Sequence, residues 1–176
     1  MKRILSAIPA ADIHETVVVV IRKKDPDGYD EVLMGESLNK FCKGLFIAPG
    51  GHVDPGEHMH HTCCHEVLDE VGLVIRIEDL ICIGTFVVTY GSGMIVRMHF
   101  FEVRRWKGRP VPNPKDFKPI DFGFHRQSEI PRNIPPRDRE IWAAIFNDTH
   151  FDATMKCGKG LQDVISFEMK TRPRMK

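Results

Sequence analysis

Hydrophobic positions along the chain fall into short runs separated by glycine, proline and charged turns, the pattern of a chain rich in strands. The β-branched run ETVVVVIRKK (15–24) predicts a buried strand, PDGYD a turn, and EVLMGES (31–37) a return strand. GLFIAPGG (44–51) reads as a short strand that ends in a glycine turn, and LVIRI (73–77) as a further strand. LICIGTFVVTY (80–90) and MIVRMHFFEVRRW (94–106) form a hairpin around Gly91–Gly93, with alternation at Ile95, Arg97, His99 and Phe101. From Glu57 to Val71 neither proline nor glycine occurs, and Met59, Cys63, Val67 and Val71 repeat every fourth residue, the apolar stripe of a helix. RPVPNPKDFKP (109–119) is a loop, PPRDREIWAAIF (135–146) a helix with proline at its start, and LQDVISFEM (161–169) a closing strand. The sum is an α+β fold, a mixed sheet with helices packed on it, in one domain over residues 1–176. Its core runs from about residue 13 to 170, ahead of a basic tail, MKTRPRMK.

Composition narrows the partners. A chain of 176 residues with net charge +1 has no broad field to hold duplex nucleic acid or an anionic membrane. No stretch is long enough to span a bilayer. Five cysteines (42, 63, 64, 82, 157) form no disulfide framework and fit a reducing, cytoplasmic compartment. MKRILSAIPAAD imitates a signal peptide, but Pro9 breaks its short apolar run, so that reading is rejected.

The chemistry concentrates in GGHVDPGEHMHHTCCHEVLDEVGL (50–73). On a helix, Glu66, Asp69 and Glu70 stand at i, i+3 and i+4 and share one face. Such a triplet is commonly no more than a solvated acidic face. Here Gly50–Gly51 and Glu57 precede it, and a glycine pair lets backbone oxygens approach an ion closely. Carboxylate and carbonyl donors of this kind suit Mg²⁺ or Mn²⁺, the usual partners of phosphate-bearing substrates. Zinc is the rival, since His58, His60, His61, Cys63, Cys64 and His65 supply i, i+4 pairs. Four converging ligands at structural-site spacing are missing, however.

The same stretch resembles the signature of the Nudix hydrolase family, G-x5-E-x7-R-E-U-x-E-E-x-G-U with U aliphatic, running from Gly51 through Glu57 and Glu66 to Gly72 and Leu73. Two positions depart: His65 stands for the arginine and Asp69 for a glutamate. The resemblance implies an α/β/α sandwich in which Glu66 and Glu70 are the main metal-binding glutamates and Glu57 a supporting one. By the same resemblance Gly50 offers a carbonyl to the ion, and Gly51, His65 and Gly72 shape the box. The remainder is similar to the branch that hydrolyses oxidised purine nucleoside triphosphates, such as 8-oxo-dGTP, to monophosphate and pyrophosphate. There Asp116 matches a further metal ligand or base, and is equally a turn residue beside proline. Asp138 matches a base-reading acid, and equally suits the first turn of the late helix. Ile47 replaces that branch's asparagine, and Glu36–Ser37 its basic residue. The resemblance therefore implies a Mg²⁺- or Mn²⁺-dependent enzyme acting on a small nucleotide. Phe46, Phe101, Phe117 and Trp142 are the aromatic candidates for stacking on a base. Alternatives are a non-catalytic nucleotide-binding module, or an enzyme for dinucleoside polyphosphates, ADP-ribose or sugar nucleotides.

Overall fold

The computed structural model describes residues 13–174; the signal-like N-terminal stretch lies outside them. Nine strands form one sheet: β1 (Ile13–Lys24), β2 (Asp30–Glu36), β3 (Phe46–Ile47), β4 (Gly50–His52), β5 (Ile81–Thr89), β6 (Ile95–Val103), β7 (Gly123–Arg126), β8 (Thr149–Cys157) and β9 (Val164–Pro173). Two helices, α1 (Met59–Val71) and α2 (Asp138–Phe146), pack against it. The main strand order is β3-β2-β1-β6-β5-β8-β9, with β4 attached to β1 and β7 to β2. Only β1–β6 and β5–β8 pair in parallel.

Period-two alternation on β1 divides the core. Val17, Val19 and Ile21 point toward α1 and join Cys63, Val67, Val71, Phe101 and Val103. Val20, on the other face, joins Ile141, Trp142 and Ile145 of α2 with Phe86, Phe100 and Phe151. Having both faces covered explains why β1 reads as a continuous apolar run. The predicted stripe on α1 holds, since Cys63, Val67 and Val71 are buried. The helix begins at Met59, the first residue of that stripe, with Glu57 ahead of it, and ends at Gly72 in the left-handed region (φ 69°). There the Gly72 N–H donates to Leu68 O and the Leu73 N–H to Val67 O.

Three elements differ from the sequence expectation. LVIRI is not a strand: Leu73 and Ile75 are anchored in the α1-side core, while Val74 makes a single bridge to Lys107 and a 3-10 turn follows at Ile77–Asp79. β7 and β8 were not anticipated. β8 nonetheless alternates cleanly, with Phe151, Ala153, Met155 and Cys157 buried and Asp152, Thr154 and Lys156 exposed. Among the described residues no helix is long and apolar enough to cross a membrane.

Candidate active site

The site grows from the junction of β4 and α1. Antiparallel pairing sets Gly51 opposite Val17 and Gly50 opposite Val18, which brings the glycine pair beneath the acidic face of α1. A Cβ on Gly51 would lie 2.2 Å from Glu66 Oε1, and one on Gly50 2.1 Å from the Val17 carbonyl oxygen. At Gly50 the obstacle is backbone and the position requires glycine for want of space, whereas at Gly51 a side chain would displace the Glu66 carboxylate. The Gly50 N–H donates to Glu70 Oε2 at 2.9 Å, tying the last turn of α1 to the loop.

These carboxylates carry little compensation. Burial pushes the Glu70 carboxyl up to about 8, against the Gly50 hydrogen bond and with Glu66, Asp116 and Asp69 adding like charge. Burial also raises Glu66, where His65 opposes the shift and Asp69, Asp116 and Glu57 reinforce it. Helix, preceding loop and later loop thus bring Glu57, Glu66, Asp69, Glu70 and Asp116 into one electrostatic neighbourhood. Among the described residues none of Glu57, Glu66, Glu70 or Asp116 pairs with a lysine or arginine, and Asp69 pairs with His65 alone, at 3.1 Å between exposed side chains. His65 therefore engages Asp69 rather than either glutamate. No three His, Cys, Asp or Glu side chains of the described residues are gathered tightly enough to grip an ion, as expected of like charges that repel. The donors nonetheless fit a hard divalent cation: they are all oxygens, partly desolvated and short of positive charge.

Asp116 is placed by contacts that the sequence did not announce. The Val111 N–H donates to Val71 O, the Asn113 N–H to Glu70 O, and Asn113 Nδ2 to Asp69 O at 3.1 Å. Asn113 thus caps the C-terminal carbonyls of α1 and docks the 109–119 loop on the helix. The Asp116 N–H closes a turn on Asn113 O, so the turn reading of Asp116 holds together with its nearness to the glutamates. At the strand end where a basic residue was missed, Lys118 arrives from the same loop and pairs with Glu36.

The histidines and cysteines play other parts. His60 packs its ring on Phe101 at 5.0 Å, and the His58 and His60 rings lie 6.3 Å apart. Cys63 is buried and its thiol is pushed up to about 12 by desolvation, the opposite of an activated nucleophile.

The aromatic candidates for stacking are all enclosed. Phe46 and Trp142 lie in the α2-side core, and Phe101 and Phe117 in the α1-side core, where Phe117 presses on Gly35. Phe41, by contrast, is 59% exposed and set edge-to-face on Tyr90 at 6.0 Å. Neither Phe41 nor Tyr90 stood out in the sequence, because single aromatics in a loop and at a strand end carry no periodic signal. Asp138 lies in the first turn of α2, as expected, and is half-buried, but it is the first residue of the helix, so the prolines expected at the helix start lie ahead of it. Burial, with Glu140 adding like charge, pushes its carboxyl up to about 8. Cys42 feels the Asp138 carboxylate, and Tyr90 in turn feels Cys42.

A carboxyl held above its ordinary 3.8 means the folded state keeps a proton that the unfolded chain releases. Its contribution to stability therefore falls as pH rises from about 4 to 8. Asp138→Asn is expected to flatten that fall. Urea midpoints of both proteins across this range test it, and parallel curves would refute it.

The fold and the glycine–carboxylate helix together define a Nudix-type domain. The family model of the NUDIX domain matches residues 12–145, and the chain belongs to this family. Two relatives are each called 8-oxo-dGTP diphosphatase. The one from Buchnera aphidicola subsp. Acyrthosiphon pisum (strain APS) is 28% identical over 71 residues, 40% of this chain and 55% of that protein. The one from Buchnera aphidicola subsp. Schizaphis graminum (strain Sg) is 34% identical over 71 residues, 40% of this chain and 50% of that protein. The chain thus spans about half the length of these curated relatives. Among solved structures, the mutator MutT protein of Bacillus halodurans superposes with a TM-score of 0.69 at 17% identity, covering 89% of this chain and 97% of that one. The MutT NUDIX hydrolase of Burkholderia pseudomallei gives 0.62 at 16% identity, over 73% of this chain and 94% of that one. Both share the fold.

Proposed function

We propose that this protein hydrolyses a phosphoanhydride bond in a nucleoside diphosphate derivative with Mg²⁺ or Mn²⁺. The leading substrate is a nucleoside triphosphate, with an oxidised purine such as 8-oxo-dGTP as the first case to try, giving the monophosphate and pyrophosphate. The observation that carries this reading is the desolvated Glu70 carboxyl, tied to the Gly50 N–H beside Glu66, with no lysine or arginine paired to either among the described residues. The Gly50 carbonyl, Glu66, Asp69, Glu70 and Asp116 would hold the ion, which when bound supplies charge neutralisation at the phosphates and an acidified water. Glu57 supports that set, and Glu66 or Glu70 is the carboxylate placed to take a proton. Asp138, at the start of α2, offers a carboxyl to the edge of a base. The two relatives named 8-oxo-dGTP diphosphatase support the choice of first substrate.

The test is pyrophosphate and phosphate release from canonical and oxidised triphosphates, dinucleoside polyphosphates, ADP-ribose and sugar nucleotides, with and without Mg²⁺. Expected is ion-dependent release of pyrophosphate from a triphosphate. No turnover of any compound would return the chain to the binding-module alternative.

A further inference from the structure

An open cavity of about 500 Å³ lies where the 37–45 loop meets the turns that end β5 and β8. Its walls are the rings of Phe41 and Tyr90 with Met94 and Leu161; its polar groups are Lys40, Ser92 and Lys159. That size and mixture suit a planar heterocycle with a few polar contacts. The charge is lopsided. Neither the Lys40 nor the Lys159 ammonium makes an ion pair or a hydrogen bond among the described residues, and no carboxylate lines the cavity. The closest acid in the chain to Lys159, Asp163, accepts instead from the Lys159 backbone N–H at 3.3 Å. Tyr90 stays neutral, its hydroxyl pushed up to about 12 by burial. Cys42, next to Phe41 in the chain, feels the charge of Asp138 at the start of α2.

A neutral base can accept hydrogen bonds from the two unpaired ammonium groups, whereas a base that has lost a ring proton gains their charge attraction as well. We propose that this cavity selects a nucleotide whose base is anionic at neutral pH, such as a xanthine nucleotide, with Lys40 and Lys159 as the specificity-determining residues. The inference rests on the phosphoanhydride reading only for its turnover measurement. Two partly exposed ion pairs of ordinary strength correspond to about a tenfold preference.

The experiment has two arms. Calorimetry with xanthosine and guanosine 5′-monophosphates, without metal, is expected to give about tenfold tighter binding of the xanthine nucleotide near pH 7. That preference should shrink as pH falls below the ionisation of the base, and Lys40→Gln/Lys159→Gln should abolish it. In turnover, xanthosine triphosphate should exceed guanosine triphosphate in kcat/KM by a similar factor, carried by KM. Equal affinities, or a ratio unchanged in a double variant with the wild-type circular dichroism spectrum, overturn the proposal. A dinucleoside polyphosphate preferred through the same lysines would also overturn it, by making the charge a phosphate. Tighter xanthine binding without turnover of either triphosphate leaves the cavity assignment standing and defeats the phosphoanhydride reading instead.

Discussion

Glu70→Gln is expected to lower kcat by at least about a hundredfold, in line with the loss of one positioned acid–base or ion-holding group, while the fold survives. The amide keeps the length of the side chain, and its oxygen can still accept from the Gly50 N–H, so the tie between β4 and α1 persists. What disappears is charge. In the metal-free protein that charge is a burden, because burial and the neighbouring carboxylates all disfavour the ionised form. The variant should therefore melt at or above the wild-type temperature when no divalent ion is present. Loss of turnover without loss of stability is the diagnostic pair, measured by steady-state kinetics and by thermal denaturation in a chelator. Near-wild-type turnover would remove Glu70 from the reaction. A collapse in melting temperature would show instead that the carboxylate serves the fold.

The box was legible because its chemistry and its local structure share one period. Glu66, Asp69 and Glu70 must lie on one helix face, and Cys63, Val67 and Val71 must lie on another, so a linear string suffices to place both. The glycine requirement was legible for a similar reason, although only the fold shows what crowds it: the Glu66 carboxylate over Gly51 and the Val17 carbonyl over Gly50. Features set by contacts between distant segments were not legible. Asn113 reaches a carbonyl 44 residues back along the chain, and nothing in PNPKD marks it as the cap of an earlier helix. β8 was overlooked because THFDATMKC spreads its apolar positions among threonine, aspartate and lysine; its parallel partner β5 and antiparallel partner β9 make that alternation a strand. LVIRI failed in the opposite sense. Leu73 and Ile75 are buried by the core beneath them while Val74 and Ile77 are exposed, and no ladder of hydrogen bonds runs alongside.

The largest effect on stability is expected away from the acidic helix. Arg22 follows the apolar run of β1 within the predicted strand, and its side chain is wholly buried. Nη2 donates to Asp30 Oδ2 at 2.6 Å, and Nη1 to Glu102 Oε2 at 3.1 Å, Asp148 Oδ1 at 2.8 Å and the Ile145 carbonyl at 2.9 Å. One guanidinium thus joins β1, β2 and β6 and satisfies the C-terminal end of α2, whose carbonyls attract a cation. Burial works against the charge, but the Asp30 hydrogen bond with Glu102 and Asp148 more than restores it. Removing one member of such a network strands the others, at a cost of about 3–5 kcal/mol. For a domain of this size that corresponds to a fall in Tm on the order of 10 °C. Arg22→Ala should show it in full, and Arg22→Lys in part, since an ammonium keeps the charge but cannot reproduce the planar fork. Arg104 and Arg174 continue to pair with Glu102, at 2.7 and 2.9 Å, and keep the loss from being greater. The acid limb gives a separate reading. Burial alone would raise the Asp30 carboxyl, but the Arg22 and Lys24 hydrogen bonds bring it down from 3.8 to about 2. A depressed carboxyl contributes stability that is complete above its unfolded value and is lost as pH falls through the folded one. Between about pH 4 and 2 the wild type should therefore lose stability more steeply than Arg22→Ala, in which only Lys24 still holds Asp30 down. Melting within about 2 °C of wild type at pH 7, or identical acid limbs, would show that Arg22 is only a filler of the strand end.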